Sequence, residues 1–204
     1  MYIDKKNRNE SIIEMQEFIR QNGFGILIST VDGKPWATHI PMHLSTDGKT
    51  LNSHISRGNA QWKNWDSSSE VLAVFQGPNA YISSSWYDHV NVPTWNYIAV
   101  HVYGTIRIVE GEALIESLKD LVNKYEKHSV KPITVEGMPE RFLKNEILGI
   151  VGFEITISKI EAAYKLSQNR DDKNYKNIVT ELKKRKDSDS HEVAKEMQNR
   201  RKFE

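Results

Sequence analysis

The sequence predicts a mainly β protein with flanking helices, an α+β chain built around a small antiparallel barrel. Three observations carry this. Apolar residues alternate with a period of two over much of residues 24–110. Asp-Gly pairs, the strongest short hairpin signal, stand at 32–33 and 47–48. Helical spacing is confined to the first 22 residues, to 111–148 and to the charged end of the chain.

The first helix is marked by Ser11 and Glu14, which fit a capping box, with Ile12, Met15 and Ile19 on one face. Phe24, Ile26 and Ile28 then alternate as a strand. Asp32-Gly33 turns it into a second strand, about Trp36 to Ser45, and Asp47-Gly48 leads to a third, Thr50 to Ser56. Val71 to Gln76 and Ala80 to Trp86 read as two further strands, and Trp95 to Glu110 as a long one. Leu114, Leu118, Leu121 and Tyr125 mark a helix. Pro139 suits the first position of another, ending near Leu148. Gly152 to Lys159 resumes a strand, and the chain is helical from Asp171. Short strands joined by tight turns favour a barrel over a parallel sheet. The composition shift near Arg170 divides the chain into a barrel, residues 1–169, and a charged helical extension, residues 170–204, packed on it through Ile178, Val179 and Leu182.

Composition excludes several classes. The 204 residues include no cysteine, which removes disulfides and thiolate chemistry and suits a reducing cytoplasm. Lys and Arg number 28 against 27 Asp and Glu, so there is no global field for nucleic acid. No apolar run is long enough to cross a membrane, and MYIDKKNRNE does not read as a secretory signal.

Catalytic signatures fail. Gly23 and Gly25 begin a dinucleotide loop, but position 28 is Ile. His191-Glu192 begins a zinc-protease helix, but position 195 is Lys. His39 and His43 would lie about 13 Å apart on a strand, too far to share an ion. No metal or triad site is expected.

Two local patterns remain. If residues 46–49 form a loop, His43 faces Asn52, Pro41 faces His54 and His39 faces Ser56, giving one polar face with three histidines. Trp36, Thr38, Ile40, Met42 and Leu44 then share an apolar face with Leu51, Ser53 and Ile55. The polar face suits a ligand or plain solvation. Next, Asn59 caps a short helix that Arg57 and Lys63 flank, with Ser56 adding a hydroxyl. The group suits a phosphate or an ordinary capped turn. Four of the five tryptophans lie in 62–95, which fits a planar ligand, a core or a subunit interface.

The strings PWATHIPMHL (35–44), HISRGNAQWK (54–63), VLAVFQGPNAYISSSWY (71–87), VPTWNYIAVHVYG (92–104), GIVGFEI (149–155) and KLSQNR (165–170) resemble the PaiB family, bacterial FMN-binding split-barrel proteins described as negative transcriptional regulators. The resemblance covers nearly the whole chain. It implies a six-stranded split barrel like that of pyridoxamine phosphate oxidases, and a homodimer with FMN at the interface. By position, Thr38, His39, Ile40 and Pro41 would border the flavin ring. His54, Ser56, Arg57, Asn59, Trp62 and Lys63 would meet the phosphate and ribityl chain. Trp95, Asn96 and Tyr97 would approach from the partner subunit, and Lys165, Gln168, Asn169 and Arg170 would close the site. Ala60 replaces a proline of the family pattern. The function implied is FMN-dependent regulation. The alternative is an oxidoreductase passing electrons from a reduced nicotinamide to a small acceptor, with His39, His54 or His101 as proton donor. Haem is a third ligand that some split barrels handle. DNA contact would fall to the basic runs 183–186 and 200–202.

Overall fold

The computed structural model describes residues 1–66 and 68–201. The elements are β1 (Arg8–Asn9), α1 (Ile12–Gln21), β2 (Phe24–Val31), β3 (Lys34–Pro41), β4 (His43–Leu44), β5 (Thr50–Ser56), β6 (Glu70–Ile82), β7 (Thr94–Val109), α2 (Gly111–Glu126), α3 (Glu140–Leu148), β8 (Ile150–Lys165), α4 (Asp172–Lys184) and α5 (Ser188–Arg200). Residues 60–64 form a 3-10 turn. The strands make one sheet in the order β3-β2-β6-β7-β8-β5-β4, with β1 beside β8. Eight strands thus stand where six were expected, two of them only two residues long. Two expected strands are one: β6 runs through Gly77-Pro78. Pro78 has no N–H to give, but the register with β2 ends at Val74, so that ladder does not require one. Pro139 caps α3 from outside rather than opening it.

By packing, the chain divides into two compact units. Among the described residues, one holds those of Ile12–Phe75 and His101–Ile160; the other holds Met1–Ser11, Gln76–Val100 and residues 161–201. No cut falls at residue 170.

In the first unit, Asp32 and Gly33 turn β2 into β3 with φ of 50° and 76°, and Val31 pairs with Lys34. A type I′ hairpin needs positive φ at both central residues. β3 follows β2 in register from Lys34 to Pro41. At Met42 the chain changes partner. Met42 N–H donates to the Gly23 carbonyl at 2.7 Å, and His43 and Leu44 pair instead with Asn52 and Leu51 of β5. Met42 therefore joins the two ends of the strand order, and the sheet closes on itself there. The alternation expected of the apolar face holds for Ile40, Met42, Leu44, Leu51, Ser53 and Ile55, all buried. Trp36, near the hairpin tip, is 39% exposed instead.

In the second unit, Arg8 and Asn9 pair with Ala163 and Ala162. α4 and α5 bury Tyr175, Ile178, Val179, Leu182, Val193, Ala194 and Met197, and the Tyr175 hydroxyl donates to the Met197 carbonyl at 2.8 Å. Lys184 pairs with Glu181, and the Arg185 guanidinium lies over Trp86. Lys202 of the second basic run lies outside the described residues.

Candidate functional site

Past Met42, β3 and β5 part. The expected pairs Pro41–His54 and His39–Ser56 do not form: β3 stays in register with β2 and β5 with β8, and the edges that face each other diverge before Met42. The last tie is the Ser53 hydroxyl, which donates to the Pro41 carbonyl at 2.5 Å. Beyond it lies a cleft of about 530 Å³, lined by Thr38, Ile40, Pro41, His54, Ile55, Ser56, Asn59, Glu146, Gly149 and Ile150. That volume suits a small molecule or cofactor.

One wall is β3, the terminal strand of the order. Backbone groups on the outer edge of a terminal strand have no ladder partner and can meet a ligand. Thr38 and Asn59 are held in this wall by Gln61, which is fully buried. Asn59 Nδ2 donates to Thr38 Oγ1 at 2.8 Å, and Thr38 Oγ1 donates to Gln61 Oε1 at 2.6 Å. Gln61 Nε2 donates to the Leu27 carbonyl at 3.3 Å and to Ser29 Oγ at 3.0 Å.

The opposite wall is β5. His54 is half-buried there, and its Nδ1 is buried without a hydrogen-bond partner. Burial pushes its pKa below the ordinary 6.5, so the ring is neutral near pH 7. Ser56 Oγ accepts from Gly58 N–H at 3.3 Å and keeps its own proton. The floor comes from the α3–β8 junction, which β5 carries into place by pairing Ser56 with Ile150.

Six of the predicted residues therefore meet in one cleft: Thr38, Ile40, Pro41, His54, Ser56 and Asn59. His39 lies between Thr38 and Ile40 but is exposed and does not line it. Arg57 and Trp62 line an adjoining hollow of about 160 Å³, which shares Ile150 with the cleft. The Arg57 guanidinium is engaged: Nε donates to the Leu148 carbonyl at 2.8 Å and Nη2 to that of Ile150 at 2.7 Å. Lys63 is exposed and lines neither. The helix that Asn59 caps is a single 3-10 turn, so the axial dipole expected there is slight.

The other predicted cofactor residues belong to the second unit, and the candidate proton donor His101 to the first. Trp95 is 54% exposed and meets Tyr81 edge-on at 5.8 Å. Asn96 is buried, giving a hydrogen bond to the Met197 sulfur and taking one from Ser167 Oγ. Tyr97 is half-buried and Asn169 exposed. Lys165 Nζ donates to Thr94 Oγ1 at 2.5 Å, and burial holds its pKa down. Gln168 braces its own turn, accepting from Leu166 N–H and donating to the Tyr164 carbonyl. Arg170 lies over the Tyr87 ring at 4.9 Å. His101, on β7, faces the Tyr103 ring.

Sequence reasoning missed Glu146, Gly149, Ile150 and Ile55. Ile55 was readable as a β5 neighbour of His54. The others come from across the sheet, and nothing in their local pattern points to the cleft. Among the described residues, no group of three His, Asp or Glu is placed to hold a metal, and no helix is long and apolar enough to cross a membrane.

Comparison with known proteins matches residues 1–159 to the family described as "Putative FMN-binding domain". The chain is 41% identical over 202 residues to "Protease synthase and sporulation protein PAI 2" of Bacillus subtilis strain 168, covering 98% of each chain. It is 33% identical over 137 residues to the uncharacterized yeast protein YKL070W, covering 60% of this chain and 81% of that one. Among solved structures, the flavocytochrome Anf3 from Azotobacter vinelandii superposes with a TM-score of 0.62 at 13% identity, over 86% of this chain and 78% of that one. The FAD and heme binding protein from Mycobacterium smegmatis gives 0.59 at 13% identity, over 78% and 73%. These two likenesses show the split-barrel fold.

Proposed function

The chain belongs to the FMN-binding domain family, and from that premise we propose that it is a PaiB-type flavin-binding regulator whose FMN lies in the cleft between β3 and β5. The observation that carries the site is the cleft beside the open edge of β3, lined by His54, whose buried Nδ1 has no hydrogen-bond partner. A buried nitrogen left unpaired costs free energy that a ligand can recover. The residues fit the cofactor. Ile40, Pro41, Ile55 and Ile150 offer apolar surface to a flat ring; Thr38, Ser56, Asn59 and the β3 backbone offer hydrogen bonds. When bound, FMN supplies a centre that takes or gives one or two electrons. The chain's own groups orient it and shield it from water.

The cleft is lined by Glu146 but by no Lys or Arg. Phosphate neutralisation therefore falls to Arg57 next door, to Lys63, and to a second copy. In that homodimer, Trp95, Asn96, Tyr97, Lys165, Gln168, Asn169 and Arg170 of the second copy are the residues the reading assigns to closing the site. A cytoplasmic setting accords with the absence of cysteine. Direct DNA contact is the weaker part of the reading, because Lys184 and Arg185 are engaged within the helical unit. Regulation through the flavin's ligand or redox state asks less of the tail.

The test is an anaerobic fluorescence titration of apoprotein with FMN, followed by NADH and NADPH. Saturable binding without bleaching supports the regulator. Binding with bleaching by a reduced nicotinamide supports the oxidoreductase instead. No binding refutes both.

A further inference from the structure

Gln61 is assigned no ligand contact by sequence, although several of its neighbours in 54–63 are; it is fully buried and does not line the cleft. Its contacts nonetheless fix what the cleft wall can offer. The Leu27 carbonyl can only accept, so the Gln61 amide must point its NH₂ there and its Oε1 at Thr38. An amide oxygen can only accept, so the Thr38 hydroxyl must give its proton to Gln61. At the other end, Gln61 N–H donates to Asn59 Oδ1 at 3.0 Å, so Asn59 must turn its Nδ2 toward Thr38. Two backbone groups thus orient a chain of three side chains. Thr38 Oγ1 has spent its proton and one lone pair, and one lone pair remains. Whatever reaches it from the cleft must donate.

The geometry points to Gln61 as a positioning residue that sets this polarity: through Thr38 it selects a ligand carrying an N–H or O–H donor at that point of the cleft. The inference rests on the flavin reading. The oxidised flavin ring has one imide N–H, and the ribityl chain has hydroxyls, so FMN can meet the requirement. Replacing Gln61 by an apolar residue frees the Thr38 proton, and the hydroxyl can then turn and offer a donor instead.

The experiment titrates FMN and riboflavin against the wild-type chain, Thr38→Val, Gln61→Met and the double variant, with thermal unfolding as a control. Each single variant is expected to lose about tenfold in affinity for both ligands. The double variant is expected to lose no more than the weaker-binding single one, because Gln61 acts only through Thr38. Thr38→Ser, which keeps the hydroxyl, is expected to bind within about twofold of wild type. Losses that multiply in the double variant, or wild-type affinity in both singles, overturn the inference. Should Gln61→Met fail to fold, the two Thr38 variants decide, since only Ser keeps the acceptor that Gln61 orients. An equal loss for FMN and riboflavin in Thr38→Val, with near wild-type binding in Thr38→Ser, is expected; unchanged binding in Thr38→Val, or a loss confined to FMN, overturns the inference. If the wild-type chain binds no flavin, the flavin reading fails and this inference fails with it. Flavin binding indifferent to Thr38 and Gln61 sinks this inference alone.

Discussion

Arg57→Ala separates two roles for one side chain. The sequence places Arg57 beside a phosphate; the structure shows it clamping the turn between α3 and β8. Its guanidinium donates to the carbonyls of Leu148 at 2.8 Å and Ile150 at 2.7 Å. Its peptide N–H reaches the Gly149 carbonyl at 2.8 Å, and its own carbonyl accepts from Trp62 Nε1 at 2.9 Å. Alanine keeps the last two bonds and loses the first two. A hydrogen bond from a charged donor is worth about 1.5–3 kcal/mol when shielded. Arg57 is exposed, so about 1 kcal/mol for each is the right scale. Losing the contact with the Trp62 ring, 5.9 Å from the guanidinium carbon, adds about 0.5 kcal/mol. The total of roughly 2–3 kcal/mol lowers Tm by about 5–10 °C in a chain of this length. Thermal unfolding of the flavin-free protein, followed by circular dichroism, reads this directly. Arg57→Lys is expected to lose most of it too, since one ammonium cannot bridge both carbonyls in the guanidinium's fork. A flavin-free Tm within about 1 °C of wild type for Arg57→Ala would refute the clamp and return Arg57 to the phosphate alone.

Three further outcomes follow from the same packing. Gly104→Ala places a Cβ 2.2 Å from the Thr156 carbonyl oxygen and 2.7 Å from Ile155 Cγ2; a loss of at least ~2 kcal/mol in urea unfolding is expected, and a neutral result would contradict the strand spacing. Met42→Ala empties a fully buried site at the joint of β3 and β4, with an expected cost of about 2–5 kcal/mol by the same assay. Partial burial lowers the pKa of His54 below 6.5. The unfolded chain therefore binds a proton before the folded one does, and stability falls as pH drops below that value. Thermal scans from neutral to mildly acidic pH are expected to fall less steeply in His54→Gln; an identical slope would remove His54 from the acid response.

Much of the fold was legible because tight turns are local. Asp32-Gly33 and Asp47-Gly48 place their hairpins, and alternation through 50–56 assigns each β5 side chain its face. Pro41, His54 and Ser56 were reachable for that reason and Asn59 from its capping pattern, whereas Thr38 and Ile40, read as core-facing by alternation, entered only through the family resemblance. The parting of β3 from β5 was not. A strand that leaves one neighbour for another at Met42 keeps the same alternation, so the pattern reads as one long hairpin. The α3–β8 residues were illegible because their place depends on pairing between Ser56 and Ile150, far apart in the chain. The structural role of Arg57 was hidden for the same reason: a cation beside a capped turn looks free until its distant carbonyl partners are known.

A structure of the protein with FMN bound tests the proposed site most directly. Flavin density is expected between β3 and β5, with the ring against Ile40 and a polar atom of the ligand within hydrogen-bond distance of the His54 ring. Flavin seated elsewhere, such as the groove lined by Trp86, Asp88 and Asn177 beside α4, would contradict it.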